Sequence, residues 1–231
     1  MLGAHGIGSP DSYPTFTDMM NFIPVFPLAL VAFPGECLHL HIFEPRYKQL
    51  IGECFAQKKP FGIPAVVDQR LTDMGTLMTI QSIAKTYENG EMDITTQGER
   101  VFRILEKVPE MPGKLYAGAI VEYPEEIDDG DPGLLEALHA SVEQIHNLLD
   151  VKKKWEPHGV IRQAFDLAHH AGMSIAAEFE MLCLFSERQR QEYLRRHVQR
   201  VLPVLTEMEA LKQKIGLNGH FKHLPGFEPL A

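Results

Sequence analysis

Between Leu38 and Ile42, apolar residues alternate with His39 and His41, the period of two that a half-buried strand requires. Further strand-like runs follow at Phe61–Val67, Thr76–Tyr87, Glu91–Gln97, Arg100–Lys107 and Leu115–Tyr123. Asn89-Gly90 lies between two of them and predicts a hairpin, because both residues tolerate positive φ. So many short strands in a row argue for a barrel or folded sheet rather than βαβ units. The period changes once inside this region. Pro45 suits a first helical position, and Tyr47, Leu50, Ile51, Cys54 and Phe55 then form one apolar face of a helix that should cover one end of the barrel.

At Glu125–Gly133 the pattern breaks into an acidic, Gly- and Pro-containing linker, and everything beyond it reads as helix. Asp131 and Pro132 predict a cap and first turn, followed by a stripe of Leu134, Leu135, Leu138, Val142, Ile145, Leu148 and Leu149. A second helix is predicted from Gly159 to Ala171, stopped by Gly172, and a third from Ser174 to about Phe185. Ser186 with Gln189 has the capping-box spacing and opens the next helix. Pro203 should divide that helix from a last one reaching Ile215, with an irregular tail after Gly216. The expected organisation is a loose arm over 1–21, a β domain over 22–124 and a helical bundle with its tail over 125–231. The fold class is α+β.

Composition narrows the function. Net charge is −9, which disfavours broad attraction to nucleic acid or to an anionic membrane surface. Cys37, Cys54 and Cys183 are odd in number and contain no C-x-x-C, which fits a reducing, cytoplasmic compartment. The first residues lack the charged and apolar regions of a secretion signal, and no apolar stretch approaches the roughly 20 residues needed to span a bilayer.

Candidate chemistry is sparse. The sequence has no G-x-x-x-x-G-K-[ST] phosphate loop, no G-x-S-x-G and no H-E-x-x-H. Ser174 and Ser186 are explained as helix caps. Cys37, His39 and His41 share one face of a strand and are the best metal candidates, but a straight strand spaces them too widely to chelate one ion closely. His139, Glu143 and His146 recur on a helix and read as a solvated face, while His169-His170 suggest nothing. Glu44 and Arg46 are either polar contacts at the mouth of a groove or a local ion pair that fixes a turn. Phe43 and Tyr47 could line that groove or belong to the core, and Arg100 sits on either a barrel rim or an exposed face.

Phe26-Pro27-Leu28, Phe33-Pro34-Gly35 and Ile42-Phe43-Glu44-Pro45-Arg46-Tyr47 together resemble the opening of the N-terminal substrate-recognition domain of Lon proteases. The likeness continues through Phe61-Gly62, Gly75-Thr76, Asp93-Ile94-Thr95 and Gly98-Glu99-Arg100 with Phe102-Arg103. It implies a PUA-like pseudo-barrel followed by helices, and a role in gripping polypeptides. It implies a stand-alone member, without the family's ATPase motor or its Ser–Lys protease. The expectation is therefore a non-enzymatic recognition module with no cofactor, binding polypeptide segments or a partner protein through Phe43, Glu44, Arg46, Tyr47 and Arg100. The alternatives are an adaptor subunit for a separate ATPase, a metal-dependent hydrolase using Cys37, His39 and His41, and a small-ligand-binding protein.

Overall fold

The computed structural model describes residues 21–149 and 161–220. Among the described residues six antiparallel strands form one sheet: β1 (Phe22–Pro24), β2 (Cys37–Ile42), β3 (Phe61–Val67), β4 (Arg70–Thr86), β5 (Met92–Val108) and β6 (Gly118–Glu122). Their order is β1-β6-β5-β4-β3, and β2 pairs beside β6 on the same side of β5. The helices are α1 (Pro45–Gln57), α2 (Pro132–Leu148), α3 (Phe165–Ala168), α4 (Ile175–Leu182) and α5 (Glu187–His220).

Glu91–Gln97 and Arg100–Lys107 are not two strands. They join in the 17-residue β5, which passes straight through Gly98 and shifts register there against β4. Glycine allows this because Phe33 and Pro34 lie directly against its backbone, leaving no room for a side chain. The hairpin at Asn89-Gly90 forms, but only Gly90 has positive φ (75°) and its N–H donates to Tyr87 O at 2.9 Å, the pattern of a type I turn closed by a glycine bulge. The two-residue turn with positive φ at both positions is instead Asp68-Gln69, at 48° and 62°.

The helices begin where their caps predict. Asp131 Oδ1 accepts from Gly133 N and Leu134 N, and Ser174 Oγ accepts from Ala177 N. Ser186 Oγ accepts from Gln189 N and also donates to Asp129. The predicted helix over 159–171 shrinks to the four residues of α3, and its start lies outside the described residues. Pro203 does not end a helix, since α5 continues through it to His220 and past Gly216. Val198, Val201, Leu202 and Leu205 face the core on both sides of Pro203, and their burial offsets one missing backbone hydrogen bond. All but the last residue of the predicted arm over 1–21, and the segment after 220, lie outside the described residues.

One core cluster is shared by sheet and helices. Phe33, Ala65, Met74 and Val101 pack with Leu138, Val142, Ile145, Phe165, Leu167, Met181, Leu182 and Leu194. A second cluster lies under α1, where Tyr47, Leu50, Ile51 and Cys54 meet Phe26, Phe61, Ile63, Met78 and Ile94.

The Gly98 contact generates a test. Replacing Gly98 with Ala drives a methyl group into the Phe33 carbonyl oxygen, so the turn and strand must separate. Urea unfolding should show a loss of about 1–3 kcal/mol, the range of a core steric conflict. A loss under about 0.5 kcal/mol, the size of an ordinary surface substitution, would show that the turn is not held against this strand.

Candidate functional site

The Phe33–Glu36 turn sets where β2 begins. Gly35 takes φ 84°, Gly35 N donates to Gly98 O at 3.0 Å, and Gly98 N donates to Glu36 O at 2.8 Å. Phe33 N donates to Glu36 Oε2 at 3.0 Å, and the same carboxylate meets His169 Nε2 at 3.2 Å. His169 Nδ1 contacts Glu178 Oε1 at 2.8 Å, so one imidazole bridges the turn and α4. Burial disfavours its charge, but hydrogen bonds to Glu178 and Glu36 outweigh that and raise its pKa to about 10.

From this anchor β2 runs antiparallel to β5 and presents Cys37, His39 and His41 outward, opposite Gln97, Thr95 and Asp93. His39 Nδ1 meets Thr95 Oγ1 at 3.2 Å. His41 Nδ1 meets Asp93 Oδ1 at 2.7 Å and its Nε2 lies 3.3 Å from Glu91, contacts that raise the His41 pKa and are led by the Asp93 hydrogen bond. Tyr87 donates to the other Asp93 oxygen at 2.7 Å. Each histidine is thus tied to β5, and among the described residues no group of three His, Cys, Asp or Glu is placed to hold a metal ion.

The residues predicted to line a groove fall into three places. Phe43 is 58% exposed at the end of β2. Glu44 and Arg46 pair with each other, Nε to Oε2 at 2.9 Å, and the guanidinium lies 4.5 Å from the Tyr47 ring centroid. Tyr47 is 7% exposed and its ring packs against Phe26, tilted by 38° with centroids 4.0 Å apart, so it is a core residue that holds α1 down. Arg100 covers Tyr123 at 4.4 Å. Ile42 is opposite Met92, so Arg100 lies eight residues further along β5, about 26 Å of strand away from Phe43. The structure does not bring it to the others.

A different concavity stands out. β3 ends its pairing with β4 at Phe61↔Met78, so the β4 edge from Thr79 to Thr86 has no strand beside it among the described residues. The end of α1 runs next to this open edge and completes a groove of about 530 Å³, lined by Cys54, Phe55, Lys58, Lys59, Thr79 and Ile80 among others. Phe55 is 44% exposed here rather than buried in the α1 core face. Lys58 ends α1 in a left-handed conformation (φ 54°), which turns the chain toward Pro60 and leaves the groove open. The helix itself is fixed. Glu53 accepts from Lys114 at 2.6 Å and Tyr116 at 2.5 Å, with the Lys114 bond doing most to lower its pKa. Sequence reading missed this site because no residue type marks an unpaired edge. The one available signal was that β3 is far shorter than β4.

Of the expected solvated face of His139, Glu143 and His146, Glu143 is exposed, His139 is half-buried and His146 departs from it. His139 meets Glu143 at 3.5 Å, but His146 turns inward and meets the His170 carbonyl at 2.9 Å.

With this geometry in hand, similarity to known proteins is informative. The family model for the ATP-dependent protease La (LON) substrate-binding domain matches residues 23–208. The crystal structure of a Lon N-terminal domain protein from Xanthomonas campestris is 25% identical, with a TM-score of 0.57 over 75% of this chain and 96% of that one. The N-terminal domain of a Mycobacterium avium complex Lon protease is 14% identical, with a TM-score of 0.57 over 78% and 100%, and supports the fold alone. No described helix is long and apolar enough to cross a membrane.

The His169 bridge predicts a pH dependence. Its folded pKa of about 10 lies above the ordinary 6.5, so its stabilisation is complete below about pH 6.5 and is lost as pH rises toward 10. Thermal melts should fall across that window in the parent protein and fall less in His169→Gln. Parallel pH profiles for the two proteins would rule the bridge out.

Proposed function

This chain belongs to the LON substrate-binding domain family, and we propose that it grips extended polypeptide segments by adding them as a strand to the open edge of β4. The observation that carries this reading is the combination of an unpaired edge from Thr79 to Thr86 with a wall supplied by α1. Backbone hydrogen bonds along such an edge give affinity with little regard to sequence, and side-chain pockets give preference. Phe55 and Ile80 offer apolar contact, and Lys58 with Lys59 favour segments carrying acidic residues.

Phe43, Glu44 and Arg46 would add contacts at the end of the other open edge, β2, whereas Tyr47 contributes only by seating α1. Arg100 belongs to a separate surface. We read the β part as a pseudo-barrel, a view supported by the parallel bridges Val25↔Gly62 and Leu28↔Ala65 between the segment after β1 and β3. The protein acts in this reading as a receptor without a reaction of its own, and the match to a binding domain rather than a catalytic one supports that.

Isothermal titration with a reduced, alkylated and permanently unfolded protein tests the proposal. Saturable binding is expected, weakened at least about fivefold by Phe55→Glu, roughly 1 kcal/mol, because the substitution puts a charge into the groove without touching the core. Absence of heat at high micromolar concentration, or equal binding by Phe55→Glu, would remove the β4 groove as the site.

A further inference from the structure

Helix α5 carries a second surface that peptide recognition does not use. Leu205 is the last residue of α5 packed against the shared core cluster. Beyond it the helix continues to His220, a projection of about 22 Å at 1.5 Å per residue. From the turn that carries Leu205 outward, Val204, Met208, Leu211 and Ile215 are 55%, 54%, 57% and 63% exposed. Their spacings of four, three and four residues are those of alternating d and a positions in a heptad. Four large apolar side chains in one line on a charged helix form a contiguous stripe rather than scattered surface residues.

We propose that this stripe is a self-association surface, on which a second copy of this chain lays the same stripe in antiparallel register. The charges around it choose the partner and the direction. Glu207 and Lys214 occupy flanking positions of successive heptads, and neither makes an ion pair among the described residues. Lys212 is already engaged by Glu209 at 3.5 Å. The acidic residues 207 and 209 thus precede the basic residues 212 and 214 along the helix. An antiparallel second copy sets each acidic half against a basic half, and Glu207 then faces Lys214 of the second copy twice about a two-fold axis. The apolar layers in that register are Val204 on Ile215 and Met208 on Leu211, each occurring twice. A seam of two heptads is short, so the dimer forms and dissociates with concentration.

Sedimentation velocity on the intact chain, from low to high micromolar, tests this directly. The expected result is a reversible monomer–dimer equilibrium, abolished by Met208→Glu with Leu211→Glu while the melting temperature stays unchanged. Glu207→Lys should weaken association at least about tenfold, and adding Lys214→Glu should restore it. A protein that stays monomeric throughout would overturn the proposal, as would a dimer indifferent to the double substitution. A monomer destabilised by that substitution would mean that the stripe is covered from within its own chain, which also overturns it. Restoration by Lys212→Glu in place of Lys214→Glu would refute the antiparallel register.

Discussion

The contact on which the rest depends is the docking of the Phe33-Pro34-Gly35 turn onto Gly98. The turn and the strand exchange backbone hydrogen bonds through Gly35 and Glu36, and neither partner tolerates more bulk at Gly98. Thr76 Oγ1 donates to the Ala32 carbonyl at 2.5 Å and ties the same turn to β4. From the other side, Gln163 Nε2 donates to Pro34 O at 2.9 Å, and His169 holds Glu36. The turn is therefore the seam between sheet and helices. Phe33 sits inside it, 1% exposed and stacked on Phe165 at 4.8 Å.

Phe165 passes that contact on. Its other neighbour is Arg190, whose guanidinium lies 4.0 Å from the ring and whose Nε donates to Leu184 O at 2.8 Å. Arg190 also pairs with Glu126 and lies 3.6 Å from Glu187. Burial raises the pKa of Glu187, yet its Oε1 accepts from Ala164 N at 2.7 Å. A buried charge cluster of this kind contributes little net stability compared with an apolar replacement, but losing one member strands the others. Its geometric effect is clear. The linker, α3 and α5 are fixed in one place relative to the seam, and the half of the sheet formed by β2, the start of β5 and the end of β4 is left to α1 alone.

The sequence made part of this legible. Alternation located β2, the Pro45 and Asp131 caps located α1 and α2, and the Phe-Pro-Gly motif pointed to the family. What it could not reveal depends on partners far along the chain. Gln163 and His169 lie more than a hundred residues from the turn they hold, and nothing local distinguishes them. Pro203 misled because a local rule was overridden by packing on both sides of it. Tyr47 illustrates the ambiguity of an aromatic residue beside a strand end, which burial on Phe26 resolves toward the core. The open β4 edge left only an indirect trace, the shortness of β3, since an unpaired backbone carries no residue signature.

Binding at the open β4 edge, as proposed, would let one surface accept many different segments. A binding surface built from side chains selects its partners by their side chains, and each mismatch leaves a polar group unpaired at a cost of about 1–3 kcal/mol. A bare strand edge asks only for N–H and C=O groups, which every extended segment other than proline supplies. Folded proteins withhold those groups in their own ladders, so selectivity falls on the unfolded state itself. The ordering of a flexible segment consumes much of the energy gained, which keeps the complex short-lived. Under the proposed function, a receptor that releases what it holds would be better served by this arrangement than by a deep, specific pocket. The shallow groove between α1 and β4 has that shape.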